Sequence, residues 1–517
     1  MINEQFIRES RKRLENLNIP LIYESFPVDF KVDINGWSFP DDKEKGTIDV
    51  ELTPEEITEL KNKGLLKKAE LISGNIYRIR RLRTLDIEIG ADETIDQMNA
   101  LKNRYDEGEF TGLSGIADLK SRFAKLYKDT CTQRCPHCFN QEDDFYVSKI
   151  INGQTLMKWS EIKELIRVAK RFGLESVKFL GIGEIFKNSR LFEILDALRT
   201  EKIKIAIFTK GPALGDDQTA KSCGYEGIYT AEDLVKRISE YQNVSILLGA
   251  NSFNPIFQDA MVGCGKDGGV INYTQKRDKA LQLLVKYEFN NPKKGKRLAL
   301  IAAPVTPQVS DETIEMYEWA MKRNITVVTI PTMVSGKGAD ELEWLLGQFE
   351  SNEILIGKYD PMRKMTREQR YTEWVVDFYT DIYLKALDMG LTDLETLKTE
   401  GISGYAGVAK CQQKHNGMYI RLPGTVQECP GRCVGAEILE DIRVQNLVTT
   451  WLDSINYDRK DCRSLCAVKM KDLTGNRIKV CDCCQIYENV GSMPPELEMR
   501  VIENLDSLFN KEVESVM

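Results

Sequence analysis

Cys131, Cys135 and Cys138 lie in the stretch Cys131-Thr-Gln-Arg-Cys135-Pro-His-Cys138, separated by three residues and then by two. Three thiolates on one tight loop can hold three irons of a 4Fe-4S cluster, and with no fourth ligand close by the last iron stays open to bind another molecule. A structural zinc ion normally takes four ligands in two separated pairs. His137 could complete such a set only by turning to the same ion as its neighbour Cys138. A disulfide framework belongs to short secreted chains, not to one of 517 residues with no secretory signal. The spacing therefore favours the cluster, with zinc as the alternative.

This C-x3-C-x2-C loop resembles the cluster loop of the radical S-adenosylmethionine (radical SAM) enzymes. In that family the open iron is chelated by the amino and carboxylate groups of S-adenosylmethionine. One electron then cleaves the sulfonium to methionine and a 5'-deoxyadenosyl radical, which abstracts a substrate hydrogen. Further along, Gly181-Ile-Gly-Glu184 resembles the family's Gly-Gly-Glu-Pro motif, in which glycine permits close backbone approach and the acid receives the methionyl amino group. Isoleucine and Ile185 depart from that motif, so the resemblance carries Gly181, Gly183 and Glu184 as cofactor-binding residues. Weaker matches carry Thr209, in Thr209-Lys-Gly211, and Asn251 with Ser252, where polar groups often meet the ribose. The stretch from Gln258 to Gly263 is also similar to the family's post-strand segment. Gly263-Cys-Gly265-Lys-Asp-Gly268 fits a dinucleotide fingerprint by letter but follows no strand directly, and reads as a mobile loop.

A second cysteine field begins at Cys411 and runs through Cys429, Cys433, Cys462, Cys466, Cys481 and Cys483 to Cys484. Its first part, C-x12-G-x4-C with Gly424 as the glycine, resembles the start of a SPASM domain, which carries auxiliary iron-sulfur clusters in one radical SAM subgroup. The later spacing departs from that pattern. Eight thiolates could hold one or two auxiliary clusters, and a zinc ribbon is the alternative. Cys223 and Cys264, outside both fields, read as free thiols.

The inventory excludes other chemistries. Only two histidines exist, His137 and His415, which nearly rules out a Ser-His-Asp triad or a zinc enzyme with several imidazoles. A net charge of -8 argues against a chain-wide nucleic-acid surface. The basic run from Lys293 to Arg297 reads as a solvated loop before a strand. No apolar run reaches the length of a bilayer span and the N-terminus lacks a signal-peptide core, so a cytoplasmic location and no membrane partner are expected.

These side chains need elements to place them. Residues 1–115 read as a small α+β module. Strands are expected at Leu21-Ile-Tyr23 and Val28 to Ile34, and Thr53-Pro-Glu-Glu56 should cap a helix running to Gly64. A hairpin turning at Ser73-Gly-Asn75 should follow, so that the whole resembles a winged helix. In many peptide-modifying radical SAM enzymes such a domain captures a precursor peptide by strand addition; a structural cap is the plainer reading. A strand at Phe123-Ala-Lys-Leu-Tyr127 is expected before the cluster loop. Helices at 160–172, 189–198, 230–241, 276–287 and 311–323 then alternate with strands at 176–180, 203–208, 244–248, 297–305 and 326–332. Such alternation predicts a parallel sheet with crossover helices, an α/β fold, and the resemblance implies a partial (β/α)6 TIM-like barrel over 116–340. A helical linker (341–405), a cysteine-rich SPASM-like domain (406–490) and a C-terminal helix or tail (491–517) complete the expectation.

By resemblance the substrate is a peptide or protein side chain that is oxidised or crosslinked, and a flavodoxin- or ferredoxin-type donor supplies electrons. A small molecule such as a sugar, nucleoside or lipid is the alternative substrate. A metal-binding regulatory module is the alternative outside enzymes.

Overall fold

The computed structural model describes residues 2–27, 46–131, 133–138, 143–266, 269–330, 348–365, 367–400, 402, 406, 416–427, 430, 442–458 and 495–516. The expected strand from Val28 to Ile34 lies outside them. Leu21 to Tyr23 is not a strand: the Ile22 and Tyr23 amides both donate to the Lys322 carbonyl at 3.0 Å, which ties this segment to a distant helix end.

A small antiparallel sheet is built from β1 (Thr47–Glu51), β2 (Glu70–Ser73) and β3 (Ile76–Arg80), in the order β1-β3-β2. The helix Pro54–Asn62 starts where expected. Thr53 accepts from the Glu56 amide at 3.2 Å and Glu56 returns a bond to the Thr53 amide at 2.8 Å, with proline at the first helical position. Such a reciprocal cap contributes about 1 kcal/mol.

Among the described residues the main body is a mostly parallel sheet of eight strands. They are β4 (Thr84–Ile89), β5 (Ser176–Gly181), β6 (Lys204–Thr209), β7 (Val244–Gly249), β8 (Leu298–Ala302), β9 (Thr326–Thr329), β10 (Gly417–Ile420) and β11 (Val426–Gln427). The order is β11-β10-β4-β5-β6-β7-β8-β9, and among these described strands the β10–β11 pair is antiparallel and the others parallel. Strands β5 to β9 and the helices between them lie where hydrophobic periodicity predicts. The first strand does not. Residues 123–127 belong to the helix Gly112–Thr130, which buries Leu119, Phe123 and Tyr127. Those positions recur every four residues, the spacing of one helical face, which a five-residue window could not reveal. The position beside β5 is filled by β4, N-terminal to the module boundary expected near residue 115 and in parallel register from Thr84↔Ser176 to Ile89↔Gly181.

The two faces of the sheet differ. Leu85, Ile87, Val177, Phe179, Ile205, Ile207, Ile246 and Leu300 join the large core that packs the helices. On the opposite face β6 to β9 present a smaller apolar set that includes Ala206, Leu247, Ala299, Ile301 and Val328, whereas β4 and β5 present charge. Asp86 and Lys178 are register partners 3.1 Å apart, and burial pushes the Asp86 carboxyl up despite the adjacent ammonium. One turn of pleat further, fully buried Glu88 accepts from Tyr146 at 2.7 Å, Tyr419 at 2.7 Å, Arg421 at 3.0 Å and the Leu422 amide at 2.9 Å. A buried carboxylate persists only with such a set of donors. This one locks the β10–β11 hairpin and the helix Asp143–Ile151 onto β4.

Candidate active site

The nominated residues meet at the C-terminal ends of adjacent parallel strands, where ligands bind in α/β sheets. Gly181 ends β5, and Gly183 and Glu184 form the turn after it. Gly183 has φ +86°, a left-handed conformation, and a β-carbon there would stand 2.2 Å from Thr130 Oγ1 and 2.4 Å from the Thr130 carbonyl oxygen. Only glycine lets the turn approach the residue before Cys131 so closely. The Glu184 amide donates to the Thr130 carbonyl at 2.9 Å, joining the acid turn to the cluster loop.

That loop does not leave a strand, as expected from residues 123–127. It leaves the helix Gly112–Thr130, whose last turn is closed by the Thr130 hydroxyl donating to Tyr127 O at 2.7 Å. It is placed at the strand ends by two anchors instead. One is the Thr130–Glu184 bond; the other is the Arg134 amide donating to the Val262 carbonyl at 2.9 Å. A β-carbon on Gly263 would lie 2.2 Å from the Arg134 carbonyl, so the segment read as a mobile loop packs directly on the cysteine loop where it is described. Cys135 and Cys264 rest against the same small apolar group of Val262, Val270 and Tyr273.

Cys131, Cys135 and Cys138 are partly buried thiols, none of them in a disulfide. Burial, with Glu184 and the other two cysteines nearby, pushes the Cys131 thiol up; a metal that takes the thiolate reverses that logic. Burial and the Lys210 ammonium push the pKa of His137 well down, so its imidazole is neutral. Among the described residues no three His, Cys, Asp or Glu side chains stand close enough to share one metal ion. Cluster thiolates need not do so, because each binds a different iron. Three thiols on one loop, with the Glu184 turn bonded to the residue before them, fit a cluster with a ligand on its open iron.

Glu184 lies buried among Thr209, Lys210 and Lys187, and burial raises its carboxyl to about 7 despite them. The Thr209 hydroxyl donates to one oxygen and the Lys210 amide to the other at 3.3 Å. Thr209 also accepts from the Gly211 amide at 2.8 Å, so its hydroxyl is oriented from behind. Asn251 follows β7 and accepts from Lys210 Nζ at 3.4 Å while its own amide donates to Pro304 O at 3.2 Å. Ser252 stands beside it, but its hydroxyl donates to Glu312 at 2.6 Å and accepts from the Asn254 amide at 2.9 Å, so that group is engaged within the protein.

Sequence reasoning missed Thr130, Lys210 and Glu312 beside this site, and marked Gln258 only as the start of a stretch similar to the family's post-strand segment. Lys210 adjoins Thr209 and Thr130 adjoins Cys131, so adjacency was a usable signal. Nothing local marks Glu312, which reaches Ser252 across 60 residues. Cys223 is half-buried beside the Glu184 turn, and burial pushes its thiol up to about 11, as for an inert cysteine. Cys411, Cys429, Cys433, Cys462, Cys466, Cys481, Cys483 and Cys484 lie outside the described residues. Gly424 does not: it turns the β10–β11 hairpin with φ +92°, and a β-carbon there would strike the Ile442 carbonyl at 2.7 Å.

Comparison with known proteins agrees with the loop chemistry. Residues 127–347 match the family model described as the Radical SAM superfamily. No curated protein matches the chain. Seven solved chains match. One is the crystal structure of Streptococcus suis SuiB, with 15% sequence identity, a TM-score of 0.33, and coverage of 78% of this chain and 69% of that one. The family implies a 4Fe-4S cluster and S-adenosylmethionine. Residues 127–347 thus match a radical SAM superfamily domain, and such a domain indicates an iron-sulfur enzyme.

Proposed function

We propose that this enzyme reductively cleaves S-adenosylmethionine and uses the resulting 5'-deoxyadenosyl radical to oxidise or crosslink a peptide or protein side chain. When bound, the 4Fe-4S cluster supplies the electron for that cleavage, and Cys131, Cys135 and Cys138 would hold it. Gly181 and Gly183 admit the methionyl backbone, Glu184 receives its ammonium, Thr209 orients Glu184, and the turn at Asn251 and Ser252 walls the ribose side. The observation that carries this reading is the Thr130–Glu184 contact, which puts an acid with a raised pKa next to the three-cysteine loop. Replacing Glu184 by Gln keeps its shape and removes its charge. Charged hydrogen bonds contribute about 1.5–3 kcal/mol, so Glu184→Gln is expected to weaken S-adenosylmethionine binding about ten- to a hundredfold, measured by equilibrium dialysis of the reconstituted protein.

The peptide reading draws on the small sheet. Its edge strand β2 is exposed throughout, with Leu71 58%, Ile72 40% and neighbouring Ile76 38% accessible. An edge strand with apolar side chains on its surface is a template for strand addition. The larger architecture we propose is a partial barrel around the site, followed by a SPASM-like tail in which the eight C-terminal cysteines hold one or two auxiliary clusters. A flavodoxin- or ferredoxin-type protein would supply electrons in the cytoplasm; no helix among the described residues is long and apolar enough to cross a membrane.

The test is anaerobic incubation of the reconstituted enzyme with S-adenosylmethionine, a reductant and peptides encoded beside its gene. We expect 5'-deoxyadenosine together with a mass change on one peptide, and about tenfold weaker peptide binding by Leu71→Asp, the loss of one or two edge contacts. Turnover only with a sugar, nucleoside or lipid would overturn the peptide assignment. No 5'-deoxyadenosine under any condition would overturn the whole reading.

A further inference from the structure

One side-chain oxygen holds the turn after β7. Gln258 Oε1 accepts from the Asn251 amide at 2.9 Å, from the Ser252 amide at 3.0 Å and from the Arg277 guanidinium at 3.3 Å. Gln258 is fully buried, and its Nε2 has no partner among the described residues. Three donors on one atom fix which end of the amide is oxygen, because the flipped amide would turn its NH2 toward them. Glu312 finishes the turn: its two oxygens accept from the Ser252 hydroxyl and the Phe253 amide, each at 2.6 Å. The N-terminal helix Ile2–Asn16 braces this assembly from behind. Glu9 accepts from Asn254 at 3.2 Å, and Arg13 donates at 2.5 Å to Asp278, which also accepts from Arg277 at 2.7 Å. Phe6 meets Phe257 edge to face, their centroids 6.1 Å apart.

The consequence reaches the acid. Asn251, fixed by Gln258, accepts from Lys210 Nζ, and the Lys210 amide donates to Glu184. We infer that Gln258 is a positioning residue for the cofactor site, setting the Asn251–Ser252 turn and, through Asn251, Lys210, and that the N-terminal helix belongs to this support. The inference rests on the cofactor reading proposed above. It gives the first residues of the chain, far from the cysteine loop in sequence, a part in cofactor affinity.

The test compares wild type, Gln258→Leu and Gln258→Glu. In the metal-free proteins, amide hydrogen exchange at Asn251 and Ser252 should speed up in Gln258→Leu and stay near wild type in Gln258→Glu, whose carboxylate still accepts from both amides and from Arg277. In the reconstituted proteins, radiolabelled S-adenosylmethionine should bind about tenfold more weakly to Gln258→Leu, the effect of losing one or two backbone hydrogen bonds at the site. Gln258→Glu should stay within about threefold of wild type, and iron content should be unchanged in all three. Wild-type affinity in Gln258→Leu overturns the inference and leaves the functional reading standing. Absence of binding by wild type overturns both. Should Gln258→Leu not fold, the outer brace decides. The double variant Glu9→Ala, Arg13→Ala is expected to bind about threefold more weakly, for loss of partly exposed contacts, and wild-type affinity there overturns the inference.

Discussion

Replacing Cys131, Cys135 and Cys138 together by alanine is expected to remove about four irons per chain and abolish S-adenosylmethionine cleavage, because in the proposed reading each thiolate holds one iron of a four-iron cluster. The fold should survive. The three thiols are partly exposed, and the loop is pinned by backbone bonds that alanine keeps, Glu184 to Thr130 and Arg134 to Val262. The variant's melting temperature is therefore expected close to that of metal-free wild type. Iron left behind reports on the tail. About eight irons remaining means that the C-terminal cysteines hold two clusters, and about four means one. A wild type that carries zinc, and a variant that loses no iron, would show that the loop is a structural metal site. Iron and sulfide analysis after anaerobic reconstitution decides between them.

The second large effect is expected from a single methyl group. Gly183→Ala would place a β-carbon 2.2–2.4 Å from three atoms of Thr130, two of them backbone or β-carbon atoms that cannot swing away. It would also force φ +86° on a residue that disfavours it. Backbone strain and overpacking each contribute about 1–3 kcal/mol, so the turn should move away from the cysteine loop and break the Glu184–Thr130 bond. Displacing a positioned group by about 1 Å can cost a hundredfold, and S-adenosylmethionine affinity should fall by at least that factor. Gly108→Ala is the control. Gly108 has φ +83° but open space where its β-carbon would go, so only the backbone term applies, about 1 kcal/mol, with cofactor affinity unchanged. Equal loss of affinity in both variants would mean that the contact with Thr130 does not matter.

What could be read from the residues alone was local. Strands β5 to β9 and their crossover helices follow from apolar periodicity, and the capped helix at Thr53 and the hairpin at Gly74 follow from turn and cap chemistry. The cysteine spacing, the Gly183-Glu184 pair and the exclusion of histidine chemistry needed only the order of residue types. These features depend on neighbours within about one turn, and the sequence states those neighbours directly.

Tertiary structure decided the rest. A short apolar run at residues 123–127 suits either a strand or a helix, and burial of Leu119, Phe123 and Tyr127 on one side made it a helix. Strand β4 carries Asp86 and Glu88, whose burial depends on Lys178, Tyr146, Tyr419 and Arg421 arriving to satisfy them, the last from 333 residues away. Nothing near Ser252 announces Glu312, and nothing near Cys131 announces that Thr130 will meet Gly183. Such pairings form only when packed elements bring distant groups within about 3 Å, where an unpartnered buried polar atom would be costly. The sequence by itself determined which chemistry this protein can carry, because that depends on residue types and their spacing. The fold alone decided which carboxylates brace the sheet and which groups hold Glu184 beside the cysteine loop, because that depends on which donors come within reach of each.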